Sequence, residues 1–302
     1  MKLIKQEEGA SLVLVGVAFM GIMMMAGLVL DGGALFMEKR NLQKAANAAV
    51  LSSAQELTMD QASVQEIVDD VLQKHGELTS LENTQIQIDN RVDVYLTKNV
   101  KLSFGSLFGK DTTEVKVHAA AELTSMGKAV GAAPLGIDDR VELDYYTEYK
   151  LKVDQTENEY GYFGVLALGG PGAATYEDNL RDGYQDQIEV GMVLDTETGN
   201  VAGKTRSVIS EKLLDGCGYE AGSKQIDRDC DRILLVPVYT PHTQTTNQLK
   251  SVEVTGFAYF FITEPIDPKD TSITGIFIKR AGKGVYESGA YDKGAYAIRL
   301  TR

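Results

Sequence analysis

Residues 10–30 read ASLVLVGVAFMGIMMMAGLVL and contain no charged side chain. As a helix rising 1.5 Å per residue, this stretch is about 31 Å long, which matches a hydrocarbon core of about 30 Å. A cleaved secretory signal would have a shorter apolar region and a small-x-small cleavage site after it. Here Asp31-Gly32-Gly33-Ala34 follows, and a helical pattern continues. We therefore expect a transmembrane helix at residues 10–30 in contact with the lipid bilayer, after a short cytoplasmic leader at residues 1–9.

The positive charges that set membrane orientation are nearly balanced. Lys2 and Lys5 lie before the span, and Lys39, Arg40 and Lys44 lie after it. Long domains cross the membrane largely regardless of such charges. We expect a single-pass protein of the cell membrane with a cytoplasmic N terminus and its bulk outside, and the resemblance given below contributes to this orientation.

The composition narrows the range of partners. The chain has 302 residues, of which 43% are hydrophobic, and a formal net charge of −13. This length suits two ordinary domains. The negative net charge argues against nucleic-acid binding, because a protein that binds a phosphate backbone needs a surface rich in Lys and Arg. It also argues against docking of the soluble part on anionic lipid, and it favours an exposed, soluble domain.

An α+β domain is predicted at residues 31–127. The span continues as an alanine-rich helix to about Leu57, and a second helix begins after Asp60 and ends at Gly76. Alternation of apolar and polar residues then predicts strands near residues 86–96 and 115–121. A short apolar patch of Phe104, Leu107 and Phe108 separates them.

A ridge of small residues lies on the first helix. Ala45, Ala49 and Ser53 follow one another at intervals of four residues, which lets another element approach closely. Two interpretations stay open for this helix-packing ridge: it packs on the protein's own sheet, or it packs on a neighbouring subunit.

The second half of the chain has a β pattern. Residues 128–136 are rich in small residues and predict a linker. Beyond it, residues 137–302 predict a mainly β extracytoplasmic domain, with strands at 149–153, 162–168, 188–194, 233–239, 252–263 and 273–278. Short helices are expected near 176–181 and 204–214. A recurring Gly-x-Tyr unit containing Tyr286, Tyr291 and Tyr296 indicates turns and strands, or a tyrosine row that stacks on glycan.

Two cysteines, Cys217 and Cys230, lie in an Asp- and Gly-rich stretch. In the cytosol they would usually be free thiols. Outside the cytoplasm a bond between them would close a short loop and stabilise the fold by about 3 kcal/mol. We expect this disulfide if the domain is exported.

No motif for catalysis or cofactor binding occurs. The three histidines have no ligand spacing, and the zinc-protease, nucleophile-elbow and phosphate-loop motifs are missing from the sequence. Asp227, Asp229 and Asp231 alternate like the first ligands of a calcium loop, but Arg232 and Val238 stand where glycine and glutamate are needed. We expect a solvated acidic loop, with a cation site as the alternative, and neither a cofactor nor an enzyme.

Sequence runs flank the span on both sides. Glu8-Gly9 precede it, and residues 40–49, RNLQKAANAA, follow it with an L-Q-x-A-A-[DN]-A-A run. In these features the segment resembles the TadE/TadG-like family of the tight-adherence (Flp-type) pilus machinery. The resemblance implies an envelope protein linked to pilus assembly or adhesion, with no known catalysis and a cytoplasmic N terminus. We accordingly expect the predicted helix and small antiparallel sheet of residues 31–127 to be pilin-like. Leu14 stands where pilins carry a glutamate if cleavage follows Gly9, which argues against prepilin-type processing.

Five short sequence blocks in the second half of the chain also resemble proteins related to this family. They are GYFGVLALGG at 161–170, Tyr176-x-x-Asn179-x-x-x-Gly183, the turn-rich run 190–203, LVPV at 235–238 and VTGFAYFF at 254–261. They resemble the C-terminal region of longer TadG-related proteins of Gram-positive bacteria. Met192 and Thr198 depart from the aspartate and proline expected in the third block.

These observations lead to two functional hypotheses. The first is a membrane-anchored structural or assembly component of a tight-adherence pilus-like system, which contacts other pilus-assembly or envelope proteins or copies of itself. The alternative is an anchored module that captures cell-wall polymer, glycan or a surface protein.

Overall fold

Four α-helices are present in the computed structural model, which describes residues 8–151, 163–197, 201–245, 248–266 and 272–301. They are α1 (Glu8–Ser53), α2 (Gln61–Lys74), α3 (Ala173–Asp182) and α4 (Ala202–Asp215). The predicted leader falls mostly on residues 1–7, outside the described part. The expected transmembrane segment and the alanine-rich helix are therefore one continuous element, which ends in a 3₁₀ turn at Ala54–Glu56.

The ends of α2 follow from its capping residues. The side chain of Asp60 accepts a hydrogen bond of 2.9 Å from the backbone N–H of Ser63, as an N-cap does. At the other end His75 is the C-cap, and Gly76 adopts a φ of 71°, which stops the helix. The predicted second helix is confirmed at both ends.

Within the described ranges, fourteen strands form two sheets. They are β1 (Leu81–Gln87), β2 (Arg91–Lys101), β3 (Thr112–Ala129), β4 (Leu135–Asp138), β5 (Glu148–Leu151), β6 (Phe163–Val165), β7 (Ile188–Glu189), β8 (Val193–Asp195), β9 (Ile233–Thr245), β10 (Gln248–Ile262), β11 (Ile273–Ile278), β12 (Arg280–Ala281), β13 (Val285–Tyr286) and β14 (Ala295–Thr301). The first sheet has the order β1-β2-β3-β14-β12, and β7 and β13 also pair with β3. The second has the order β5-β11-β10-β9-β4-β6, and β8 also pairs with β10.

Three clusters of buried side chains hold these layers together. In the first, α1 and α2 cover one face of the first sheet, with Leu42, Ala49, Leu72 and Val94 at its centre. The other two lie on opposite faces of the second sheet, because β10 is apolar on both sides. Ala258, Phe260 and Ile262 face α3 and α4, whereas Phe257, Tyr259 and Phe261 face the cysteine loop and the end of β3.

The α+β fold class is confirmed, and the pairing adds a relation that the sequence did not predict. Strand β14, from the C-terminal end, pairs antiparallel with β3 over Tyr296–Thr301. The first sheet is therefore completed by residues far beyond 127. The division of the chain at residues 128–136 stays a prediction, although β3 itself extends into that stretch as far as Ala129.

The expected strand at 188–194 is wrong in one respect. It is two short strands, because Gly191 between them has a φ of 86° and turns the chain. Residues 152–153 and 162 of the expected strands lie outside the described residues, as do Gly161 and residues 198–200 of the matching blocks.

Candidate membrane anchor

The first part of α1 carries apolar side chains that the rest of the chain does not cover. From Ser11 to Leu30 every residue except Gly21 and Gly27 is exposed, including large side chains such as Phe19 and Met25. The helix is long and apolar enough to cross a membrane. Continuous apolar exposure on this scale is unfavourable in water, and it suits a lipid environment.

The folded part meets this helix at Gly27. The ring of Phe104, in the loop between β2 and β3, lies so close that an added Cβ on Gly27 would be 2.5 Å from its Cγ atom. A side chain larger than hydrogen would force the loop away. Gly27 therefore permits close packing of the hairpin loop on a residue that belongs to the predicted span.

Asp31, one helical turn later, binds the same loop. Its Oδ1 accepts a hydrogen bond of 2.8 Å from the N–H of Ser103, and its Oδ2 accepts bonds of 2.9 and 2.8 Å from the N–H groups of Phe104 and Gly105. Desolvation raises the pKa of Asp31, but the three hydrogen bonds outweigh it, and the pKa lies below its ordinary value. The charged carboxylate is thus satisfied at the end of the apolar segment.

The contact face continues down the helix at intervals of three and four residues. Leu35 packs against the first core, and Glu38 forms an ion pair of 2.5 Å with Lys98 of β2. Lys98 also lies 2.6 Å from Glu77, just after α2. Hydrogen bonds to Glu38 and then Glu77 raise the pKa of Lys98, so one cation links α1, β2 and the end of α2.

The small-residue ridge belongs to this same face. Ala45 is 1% exposed, and Ala49 and Ser53 are 0% exposed, because the first sheet and α2 cover them. The hydroxyl of Ser53 donates to the carbonyl of Val50. The interpretation that this ridge packs on a neighbouring subunit is therefore wrong for the folded chain. Small side chains are needed here so that α1 can approach its own sheet.

A different face of α1 is left uncovered beyond the span. Phe36 and Met37 are both about three-fifths exposed, and the guanidinium of Arg40 lies 5.5 Å from the Phe36 ring centre. Gly32 and Gly33 have no heavy atom within 4 Å of where a Cβ would stand. This outer face is therefore not covered by the described part of the chain.

The cysteine loop is organised around Arg232. Cys217 and Cys230 are joined in the structure, with their Cα atoms 5.3 Å apart, and formation of this bond in the cell stays a prediction. Arg232 donates to the carbonyl oxygens of Cys217, Ile262 and Thr263 at 3.0, 2.8 and 2.9 Å. Its guanidinium lies 4.8 Å from the Phe261 ring centre, and desolvation lowers its pKa. Arg232 therefore ties the loop to β10.

The structure does not gather the acidic candidates into a cation site. The Oδ1 of Asp227 accepts a hydrogen bond of 3.0 Å from the N–H of Asp229. Within the described residues, no group of three or more His, Cys, Asp or Glu side chains is arranged to hold a metal. The histidine His118 is instead paired with Asp93 at 2.8 Å and stacked on Tyr95.

An open cleft of about 570 Å³ lies beside the acidic loop, where the end of α3, the loop and β12 meet. Five basic residues and three acidic ones line it: Arg181, Lys212, Arg228, Arg280, Lys283, Asp182, Asp229 and Asp231. The Nε of Arg280 is buried without a hydrogen-bond partner among the described residues. Desolvation lowers the pKa of Arg280 and of Lys212.

The tyrosines of the Gly-x-Tyr unit do not form a row. Tyr286 and Tyr291 are exposed, but Tyr296 is 5% exposed and packs within the fold. Desolvation raises the pKa of Tyr296 above its ordinary value. The glycan-stacking interpretation therefore loses one of its three residues.

Sequence reasoning did not identify four residues that join distant parts of the chain, namely Gly27, Asp31, Lys98 and Arg232. Asp31 was visible as a charge directly after the span, and that position was its only signal. The donors that meet it lie more than seventy residues away, so no local pattern points to them.

Comparison with known proteins gives one family. The family described as "Putative Flp pilus-assembly TadE/G-like" matches residues 9–56, which cover the apolar helix and its alanine-rich continuation. No curated protein and no solved structure matches the chain. The resemblance expected for this segment is confirmed, because residues 9–56 match the TadE/G-like family. The resemblance of the five blocks in the second half to longer TadG-related proteins stays a prediction. This match and the uncovered apolar helix support a pilus-assembly-related membrane protein with a single-pass anchor, and the family favours a structural role over a catalytic one.

Proposed function

From the TadE/G-like character of residues 9–56, we propose that this chain is a structural or assembly component of a tight-adherence (Flp-type) pilus-like system in the cell envelope. Residues 10–30 cross the membrane, the N terminus is cytoplasmic, and residues after about 31 lie outside. The single observation that carries this proposal is the family match over residues 9–56. The continuity of α1, which runs without interruption from an uncovered apolar half into the core of the folded part, supports it.

The contacts between α1 and the β2–β3 hairpin support a firm connection between the membrane anchor and the folded domain. Gly27, Asp31 and Glu38 fix the hairpin to the helix from inside the span outward. Because these contacts restrain the helix in both rotation and height, the domain is held at one orientation relative to the bilayer. A folded domain held at a fixed orientation on its anchor helix suits a subunit that must present a defined surface to its partners.

The surface proposed for partners is the outer face of α1 around Phe36 and Met37. Both side chains are exposed just beyond the span, where neighbouring membrane-anchored subunits would meet. An aromatic and a methionine side chain are residue types that protein interfaces favour. Copies of this chain or other envelope proteins are the proposed partners.

Site-directed crosslinking tests this role. Cysteine is introduced at Met37 in cells, and Ala49→Cys serves as the matched control on the buried face of the same helix. The proposal expects crosslinks from position 37, to this chain or to envelope proteins, and none from position 49. If neither position gives a crosslink while the protein is present at its normal level, the chain has no partner at α1 and the proposal is rejected.

Orientation is tested separately. Protease added to intact cells whose wall has been removed should digest the large C-terminal part. Protection of that part, in cells that retain the apolar segment, would mean that the topology is inverted.

A second role is favoured by the cleft. Its five basic residues and the unpartnered Nε of Arg280 stand out in a chain of net charge −13, and they suit an anionic polymer. Binding of wall polymer by the full chain, weakened by Arg280→Gln but not by Arg299→Gln on the exposed part of β14, would support an anchored binding module. Equal binding by both variants would argue against it.

A further inference from the structure

The tip of the hairpin between β2 and β3 presents two apolar side chains to the outside. Leu107 is 72% exposed and Phe108 is 57% exposed, and both belong to a 3₁₀ turn at Gly105–Phe108. An exposed leucine next to an exposed phenylalanine is unfavourable in water, since neither side chain buries its apolar surface. No role described so far uses these two residues.

The tip has a defined conformation. Backbone N–H groups of Leu107, Gly109 and Lys110 donate to the carbonyls of Phe104, Ser106 and Gly105 at 3.0, 3.1 and 3.1 Å. Gly109 closes the turn with a φ of 77°, a conformation that glycine adopts without strain. The exposure of Leu107 and Phe108 is therefore a property of an ordered turn.

The height of the tip relative to the span follows from its contact with α1. Phe104 packs on Gly27, which precedes Leu30 by three residues and so lies about 4.5 Å inside the predicted apolar boundary. Asp31 holds the N–H groups of Ser103 to Gly105 at the boundary itself. If residues 10–30 lie in lipid, the turn at Gly105–Phe108 must therefore lie at the surface of the bilayer.

We propose that Leu107 and Phe108 insert into the interfacial layer of the bilayer, beside the anchor helix and on the side of the folded domain. This inference rests on the membrane-spanning role given to residues 10–30 under the proposed function. The apolar face of an amphipathic helix at a membrane surface is buried about 5–10 Å into the boundary between head groups and acyl chains, and we expect a similar depth for these two side chains. The domain would then touch the membrane at two points, which prevents it from tilting about α1.

The contact is apolar in nature. The net charge of −13 disfavours attraction to anionic lipid, so the tip should bind zwitterionic lipid equally well. Lipid is the occupant that the structure favours because the tip adjoins a helix segment whose own exposed side chains require lipid. A second copy of the chain is the other occupant that the experiment must detect.

The absence of tryptophan from the sequence makes a direct test possible. Three single variants of the full chain, Phe108→Trp, Phe19→Trp and Tyr286→Trp, are placed in phosphatidylcholine nanodiscs with and without brominated acyl chains. Phe19 lies within the span and reports on the anchor itself. Tyr286 is also exposed, but it pairs with Met126 in β3, about 46 Å along the strand from Thr112.

The expected result is a blue-shifted emission that brominated lipid quenches for Phe108→Trp and Phe19→Trp, with neither effect for Tyr286→Trp. Quenching at position 19 without quenching at position 108 overturns the inference and leaves the anchor intact. A blue shift at position 108 without quenching also overturns it, because protein and not lipid then covers the tip. Absence of quenching at position 19 rejects the membrane anchor, and the inference with it.

Discussion

The carboxylate of Asp31 and the backbone N–H of Phe104 are joined by a hydrogen bond of 2.9 Å, across 73 positions of sequence. One residue stands directly after the apolar segment, and the other lies in the loop that packs on Gly27. This bond and its two neighbours fix the position of the folded domain relative to the apolar part of α1. The contact between α1 and the β2–β3 loop therefore depends on the Asp31 side chain, which is not needed for α1 to form as a helix.

Removing the Asp31 carboxylate should free the hairpin tip. In Asp31→Ala the N–H groups of Ser103, Phe104 and Gly105 lose their acceptor, and we expect their hydrogen exchange to become faster. Asp60→Ala is the matched control, because it also removes a carboxylate that accepts from a backbone N–H, at the start of α2. Unchanged exchange at residues 103–105 in Asp31→Ala would mean that the carboxylate does not hold the loop.

Acid should weaken the fold through aspartates whose pKa is lowered. The hydrogen bond from Arg91 is the main cause that lowers the pKa of Asp93, against desolvation, and His118 adds to it. A lowered folded pKa stabilises the fold fully above the ordinary aspartate pKa of about 3.9, and this contribution is lost as the pH falls through the folded value. Asp93→Asn should lose less stability than the wild type between pH 5 and pH 2, measured by urea unfolding of the full chain in detergent. An equal acid sensitivity would exclude Asp93 as a contributor.

Enlarging the small-residue ridge should destabilise the first core. Ala49 is fully buried between α1 and the sheet, so Ala49→Leu forces the layers apart at a cost of about 1–3 kcal/mol. Ala62→Leu, an exposed position in α2, is the control for the same change in size and should stay within about 0.5 kcal/mol. Thermal unfolding measures both. Equal melting temperatures for the two variants would contradict the packing described for the ridge.

Loss of the disulfide should lower stability. The double variant Cys217→Ser/Cys230→Ser removes a bond that closes a short loop, and we expect a decrease of about 3 kcal/mol in the free energy of unfolding. Reducing agent should lower the urea midpoint of the wild type but leave that of the double variant unchanged. If reductant has no effect on the exported wild-type protein, the cysteines are free thiols there.

Replacing Arg232 by lysine should not preserve its role. A lysine ammonium cannot reach three carbonyl groups in the planar arrangement of a guanidinium, and a buried carbonyl left unpaired costs about 1–3 kcal/mol. Arg299→Lys, at a half-exposed ion pair with Glu122, should cost less than about 1 kcal/mol. A urea midpoint for Arg232→Lys that equals that of Arg299→Lys would show that Arg232 is not needed for the loop.

Much of the architecture could be predicted from local patterns. The capping residues Asp60 and Gly76 delimited α2, and the apolar runs at 233–239, 252–263 and 273–278 located the central strands of the second sheet. Such signals are readable because a helix end or a buried strand depends on residues that are neighbours in sequence. The short strands β7, β8, β12 and β13 carry little pattern, and only their partners make them strands.

In the candidate membrane anchor, too, some features could be predicted from local sequence and others could not. The apolar run of residues 10–30 by itself determined a helix suited to lipid, because the length and lack of charge of one segment suffice for that, and residues 40–49 pointed to the family. Tertiary structure alone decided that Ala45, Ala49 and Ser53 face the protein's own sheet. It also decided that the Asp31 carboxylate accepts hydrogen bonds from the 103–105 loop, and that β14 pairs with β3 in the first sheet. These three relations join residues far apart in the chain, and their energies arise only when packing has brought the partners together.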